Sequence, residues 1–370
     1  MSLWIVSLLV VVAVGALAAA GLLRGHASAK RAVPARPRTS VAPRTDHAAP
    51  PTAPDPAPDQ APVPDALRAF RWIAADALPP ARQEALAARL RGIPRPPNAV
   101  HRLLSHEFLA GATAQDLSDL IKGEPLIAAK LLAAVNSAQF SLQKPVASIA
   151  QAVTFLGVNA VRGLCLLYML DASFKSKDPE QQAMFDEIWR TCAVASRICA
   201  RLAQQLALPD QGALVTQVVL YFLGQVAIYS FVPKQVALAV RSQDMLARLC
   251  AEQELLGLNA SELGALLMRD WGVPPSIIAD VRDIDHVFDQ PARAFEPDRG
   301  ARLALCFASA RMAEDAVGGR RPPVDSLLHD DRLEYVHFRE HLQHGPLARL
   351  PELLETLDFA GPRQQSAVRG

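Results

Sequence analysis

The sequence predicts an all-α body preceded by a single transmembrane helix and a disordered linker, on three observations. Apolar residues in the body recur at alternating steps of three and four, the period of one helix face. Cap residues and prolines stand where those runs begin. No two-residue alternation is long enough to make a sheet.

The chain opens with an uncharged run, Leu3 to Leu23, long enough to cross a bilayer core of about 30 Å at about 1.5 Å per residue. Trp4 sits near one end, as interfacial aromatics do. Arg24, Lys30, Arg31, Arg36, Arg38 and Arg44 follow, with no acid before Asp46 and no basic residue ahead of the run. The positive-inside rule then places the body on the cytoplasmic side, in a single-pass arrangement. The rival reading is a cleaved signal peptide with a site near Ala18-Ala19-Ala20, but it lacks the basic n-region and the apolar run is long for one. From Arg24 to Pro64 the chain is Pro, Ala, Arg and Asp with almost no large apolar side chain. It cannot bury enough surface to offset ordering entropy and is expected to be disordered. Extended at about 3.1 Å per residue, it would reach up to about 120 Å.

The helical stripe is clearest in Phe185, Ile188, Cys192, Ala195, Cys199, Leu202 and Leu206, on a helix expected to start at Asp178-Pro179. Cys192 and Cys199 are about 10.5 Å apart along that helix and cannot pair. Thr113 and Asp116 form a capping box, and Pro125 starts a helix with Leu126, Ile127, Leu131 and Val135 facing inward. Asn259 and Glu262 repeat the capping pattern ahead of Leu263, Leu266, Leu267 and Trp271, Gly272 stops that helix, and Pro274-Pro275 begins the next. Leu214 to Val232 is apolar nearly all round, interrupted by Gln217, Gly224 and Gln225, and reads as a central core helix. Leu303 to Val317 and Leu347 to Leu357 read as later helices that pack back on the core.

A net charge of +1 supplies no broad field for nucleic acid, and the body has no stripe of Lys and Arg. Five cysteines, Cys165, Cys192, Cys199, Cys250 and Cys306, are odd in number and without a CxxC pair; all fall in apolar helical stretches and read as small packing residues. No nucleophile elbow, Walker loop or dinucleotide glycine fingerprint occurs.

The run Glu124-Pro125-Leu126-Ile127-Ala128-Ala129-Lys130-Leu131-Leu132-Ala133-Ala134-Val135-Asn136-Ser137-Ala138 resembles the hallmark of the bacterial HDOD domains, a helix ending in Asn-Ser. Ser148-Ile149, Ala152 to Gly157 and Val161-Arg162 follow in that family's order and spacing, and Leu78-Pro79-Pro80 and Ile93-Pro94 resemble its proline-marked entry. The resemblance runs from about Leu78 to Asp289. It implies kinship with HD phosphohydrolases, whose metal site draws His and Asp ligands into a helical cleft around a central His-Asp pair. At the matching positions this chain has Thr191 after Trp189-Arg190, Tyr221 and Phe222 before Leu223-Gly224, and Ala260 before Ser261. The terminal His pair falls near Ile284 and Asp285, with His286 one step beyond. Phe222 and Ala260 have no lone pair to offer, so the resemblance implies vestigial metal positions, no cofactor and no catalytic residue.

The organisation expected is a transmembrane helix over 1–24, a linker over 25–65, an HDOD-like helical domain over 66–290, a helical extension over 291–360 and a tail over 361–370. The function expected is membrane-anchored, non-catalytic signalling through partner binding. The resemblance implies sensor kinases, response regulators or cyclic-di-nucleotide enzymes as partners. Lys130, Asn136, Ser137 and Arg162 are the candidate partner or ligand contacts, each weighed against a plain structural role: helix termination for Asn136 and Ser137, ion pairing or solvation for Lys130 and Arg162. The alternatives are a nucleotide sensor using the vestigial cleft and a metal-dependent phosphohydrolase. His337, His341 and His344 share a helical face that suits zinc, or, on the plainer reading, lie solvated near a helix C-terminus.

Overall fold

The computed structural model of the chain describes residues 63–137, 145–241, 244–318, 327–328, 335–343 and 345–356. The expected span Leu3–Leu23, the linker before residue 63, the 361–370 tail and His344 lie outside them. Among the described residues every regular element is helical.

The first part of the body is a run of short helices: α1 (Asp65–Ala69), α2 (Pro80–Arg91), α3 (Asn98–Leu104), α4 (His106–Gly111), α5 (Ala114–Lys122), α6 (Pro125–Val135) and α7 (Ile149–Leu156). Pro80 and Pro125 open their helices, where a missing N–H costs nothing. The Thr113–Asp116 capping box forms in full at the start of α5. Three longer helices follow: α8 (Val158–Ser173), α9 (Pro179–Gln205) and α10 (Gln211–Phe231). Asp178 caps α9 by accepting from the Glu180 N–H, and the whole predicted stripe from Phe185 to Leu206 is buried. Each such Leu or Ile contributes about 1.5–3 kcal/mol relative to leaving it exposed.

The remaining helices are α11 (Lys234–Arg241), α12 (Met245–Leu256), α13 (Ala260–Asp270), α14 (Pro275–Asp283), α15 (Pro297–Val317), α16 (Val336–His341) and α17 (Leu350–Thr356), with a 3-10 turn over Ile284–Val287. α10 is the axis of the body. By length and composition it could cross a membrane, yet 89% of its apolar window is buried inside the protein. α8, α9, α13, α14 and α15 all pack on it, which is what a helix apolar on every side requires. Two glycines permit the closest of these contacts. A Cβ on Gly224 of α10 would collide with the carbonyl oxygen of Ala260, and Gly264 of α13 lies against the Gly224 backbone.

Four expectations need correction. Leu126 does not face inward but is 63% exposed, because α6 buries the face carrying Ile127, Leu131 and Val135. Cys250 is exposed, on the side of α12 opposite the buried Arg248, Leu249 and Glu252. Asn259 caps α13 as expected, but the Glu262 carboxylate accepts from the backbone of Ala75 instead of completing a capping box. The His337–His341 face is not solvated. His341 is buried against Phe295, and burial pushes its pKa down, while His337 pairs with Glu340 at 3.1 Å.

Candidate functional site

Side chains at helical spacing from three helices converge beside α10. Tyr221 and Gln225 stand one turn apart on α10, Arg248 and Glu252 one turn apart on α12, and Arg311 and Glu314 three apart on α15. The 3-10 turn after α14 adds Asp285. All are buried, Asp285 to 1% exposure.

Their bonds form one connected cluster. Arg311 Nη2 donates to the Tyr221 hydroxyl at 2.7 Å, and that hydroxyl donates to Asp285 Oδ1 at 2.9 Å. Glu314 is the hub: it accepts from Arg311 Nη2 at 3.1 Å, from Arg248 Nη1 at 3.2 Å and from Gln225 Nε2 at 2.8 Å. Glu252 lies 3.8 Å from Arg248 Nε and accepts from the backbone N–H of Ala260, the first residue of α13, at 2.8 Å. The Met245 thioether sits 3.4 Å from a nitrogen of each guanidinium.

Removing charges from water is costly unless each finds a partner, and here opposite signs alternate. Burial raises Glu314, but Arg248 and Arg311 outweigh it and hold the carboxyl at about 2. Burial pushes Glu252 up to about 7, since Arg248 offsets it only in part. Burial also raises Asp285 against the pull of Arg311 and Arg248, and raises the Tyr221 phenol well above its usual range. Near neutral pH two fixed positive charges therefore face carboxylates of which one, Glu252, is half protonated.

The four positions that the resemblance aligns with metal ligands fall in and around this cluster. Tyr221 is at its centre, and Ala260 contributes its backbone N–H. Phe222 turns into the core, fully buried, its ring edge-on to Tyr221 with centroids 5.5 Å apart. The Thr191 hydroxyl donates back to the Glu187 carbonyl at 2.8 Å, and Arg241 lies 3.5 Å from it while pairing with Glu187. His286 stands apart, stacked on Trp72 at 4.3 Å, with burial pushing its pKa down to about 4.

A divalent metal does not fit this donor set. Glu314 is bonded to two guanidiniums, which cannot lose their protons, Asp285 to the Tyr221 hydroxyl and Glu252 to the Ala260 N–H, and a cation placed among them would meet two like charges. Among the described residues no group of three or more His, Cys, Asp and Glu side chains is arranged to hold a metal.

The four candidate contact residues lie elsewhere. Lys130 pairs with Asp171 at 2.8 Å. Asn136 ends α6, and its side-chain amide both donates to and accepts from the Val146 backbone, at 2.8 and 2.7 Å. The Ser137 N–H bonds the Ala134 carbonyl. Arg162 is neither solvated nor ion-paired: it is 3% exposed, its Nε lacks a hydrogen-bond partner, and burial lowers its pKa.

Sequence reading missed Arg248, Glu252, Arg311 and Glu314. The i,i+4 spacing of Arg248 and Glu252 was visible but is equally that of a solvated pair. Gln225, noted as an interruption of an apolar helix, was the better signal, because an amide inside such a helix needs a buried partner.

The fold and the proline-marked helices agree with the comparisons. Residues 93–287 match the HDOD domain family, and the chain belongs to that family. A solved HDOD domain protein of unknown function from Geobacter sulfurreducens has 19% identity and a TM-score of 0.54, covering 74% of this chain and 95% of its own. A solved protein from Shewanella amazonensis SB2B, provisionally called a phosphohydrolase, has 22% identity and a TM-score of 0.52, covering 75% of this chain and 95% of its own. At these identities the likeness is one of fold. An uncharacterized protein of Treponema pallidum (strain Nichols) is 23% identical over 241 residues, which is 64% of this chain and 45% of that one. The chain therefore spans less than half the length of this curated relative.

Proposed function

We propose that the chain is a non-catalytic regulatory HDOD protein, held at the inner face of a bacterial membrane by Leu3–Leu23 and acting by binding signalling proteins. The observation that carries this reading is the guanidinium–carboxylate cluster in the old cleft. A hydrolase of this lineage needs an open coordination position and an activated water. Here Arg248 and Arg311 carry the positive charge, and both are bonded to Glu314. Freed from chemistry, the domain is a rigid helical body, and a flexible tether would raise its effective concentration toward partners on the same membrane.

The test uses the full-length chain, purified after expression with iron, manganese and zinc supplied. Metal content well below one ion per chain and no hydrolysis of p-nitrophenyl phosphate or its bis ester above blank are expected. Turnover abolished by a chelator would overturn the non-catalytic reading. Anchoring is checked by alkaline carbonate extraction, which should leave the full chain, but not a chain lacking residues 1–24, in the membrane pellet. Crosslinking in the membrane should then capture a kinase, response regulator or cyclic-di-nucleotide enzyme.

A further inference from the structure

A second cleft, sharing no residue with the cluster, has the opposite electrostatic character. It is about 640 Å³ in volume and lies among the start of α8, one face of α9 and the first turn of α10. Arg197 and Arg201, one turn apart on α9, both line it and both are exposed. Among the described residues no acidic side chain lines it. Neither arginine has an ion pair or side-chain hydrogen bond there, whereas Arg248, Arg299 and Arg311 are all paired.

Two helix starts add to this positive field. α8 begins after Gly157, which has no side chain to cap it, and Gly157, Val158 and Asn159 line the cleft. α10 begins after Asp210, a residue at φ 52° whose side chain accepts nothing from the helix, and Gln211 lines the cleft. Uncapped N-terminal amides and the helix dipole both favour an anion. Arg162 supplies an independent observation. Nine-tenths buried and more, with Nε unpartnered, it reaches the first turn of α10, where a Cβ on Gly212 would collide with its Nη2 and with Oδ1 of cleft-lining Asn159. A buried arginine with an unpartnered Nε is costly, and although Arg162 does not itself line the cleft, an anion at the neighbouring end would offset part of that cost.

The rest of the lining is of another kind. Leu156, Leu164, Val215 and the Tyr168 ring form an apolar wall suited to a flat ring. The volume lies in the range of small-molecule sites, roughly 300–1,000 Å³. From these features we infer that the α8–α9–α10 cleft binds a nucleotide, its phosphate held by Arg197, Arg201 and the two helix starts and its base laid against Tyr168. This places the ligand away from the vestigial cleft. It does not depend on the membrane anchor or on the absence of catalysis, so its failure would leave the proposed function standing.

The test is calorimetric titration of the full-length chain with GMP, AMP and cyclic di-GMP, with guanosine and inorganic phosphate as the two half-ligands. At least one nucleotide should bind, and each half-ligand should bind at least about tenfold more weakly than that nucleotide. The double substitution Arg197→Ala and Arg201→Ala should weaken binding about 100-fold, roughly tenfold per charge-assisted contact. Lysines at both positions should restore part of it, and Arg190→Ala, elsewhere on α9, should change nothing. Absence of heat from every nucleotide up to millimolar concentration, wild-type affinity in the alanine pair, or phosphate binding as tightly as nucleotide would each overturn the inference.

Discussion

The Arg248–Arg311 cluster and the α8–α9–α10 cleft use the same side chain in opposite ways. In the first, guanidiniums are buried, and both are bonded to the Glu314 carboxylate, Arg248 from α12 and Arg311 from α15 itself. In the second, Arg197 and Arg201 face a cavity that no acid lines among the described residues. A charge matched inside the protein holds helices together and is unavailable to ligands. A charge left unmatched at a cleft does little for stability and can be matched from outside.

The largest expected effect comes from breaking the first arrangement. Glu314→Ala removes the carboxylate shared by Arg248 and Arg311 and should lower unfolding free energy by about 3–5 kcal/mol, the cost of stranding buried charge, as read from urea denaturation. A loss under about 1 kcal/mol would mean that the cluster does not hold α12 and α15 in place. Next is the pH response. The Glu252 carboxyl titrates at about 7 when folded against 4.5 when unfolded. Between those values the folded state holds more protons, so this group's stabilisation is complete below about 4.5 and lost as pH rises through about 7. The fall should be on the order of 2–3 kcal/mol. Glu252→Gln should flatten that slope in denaturation curves collected from pH 5 to 8, while its side-chain oxygen still accepts from Ala260. The smallest effect belongs to the second region. Arg197→Ala with Arg201→Ala should shift stability by less than about 0.5 kcal/mol, even as nucleotide affinity falls.

The fold was largely legible because local signals agreed with tertiary need. Asp178-Pro179, Thr113 with Asp116, and Pro274-Pro275 mark helix starts by mechanisms that act within one turn, and the α9 stripe has a single apolar side. α6 was harder to read. Its alanines leave no polar face to set Leu126 apart from Ile127, so which leucine faces the core is settled by α5, α7 and α8 packing around it. At the site, Tyr221, Phe222 and Ala260 could be singled out from the resemblance alone. The buried cluster around Tyr221 could not, because Arg311 and Glu314 lie beyond Asp289, outside the stretch that carries the resemblance. Their partners are 60 to 90 residues away in sequence, and no periodicity encodes such a meeting. The arginines of the α9 cleft drew no attention in the sequence for a related reason: only the placement of α8 and α10 sets them beside a cavity.

The two guanidiniums also set the terms for anyone installing a metal centre here. Installing histidine and aspartate at 221 and 222 would supply ligands but leave two permanent positive charges within the same few ångströms, and an incoming dication would be repelled. Removing those arginines first would strand Glu314 and loosen α15 from α12. A metal centre here would therefore need several replacements made together, because the charges of this cluster are matched to one another.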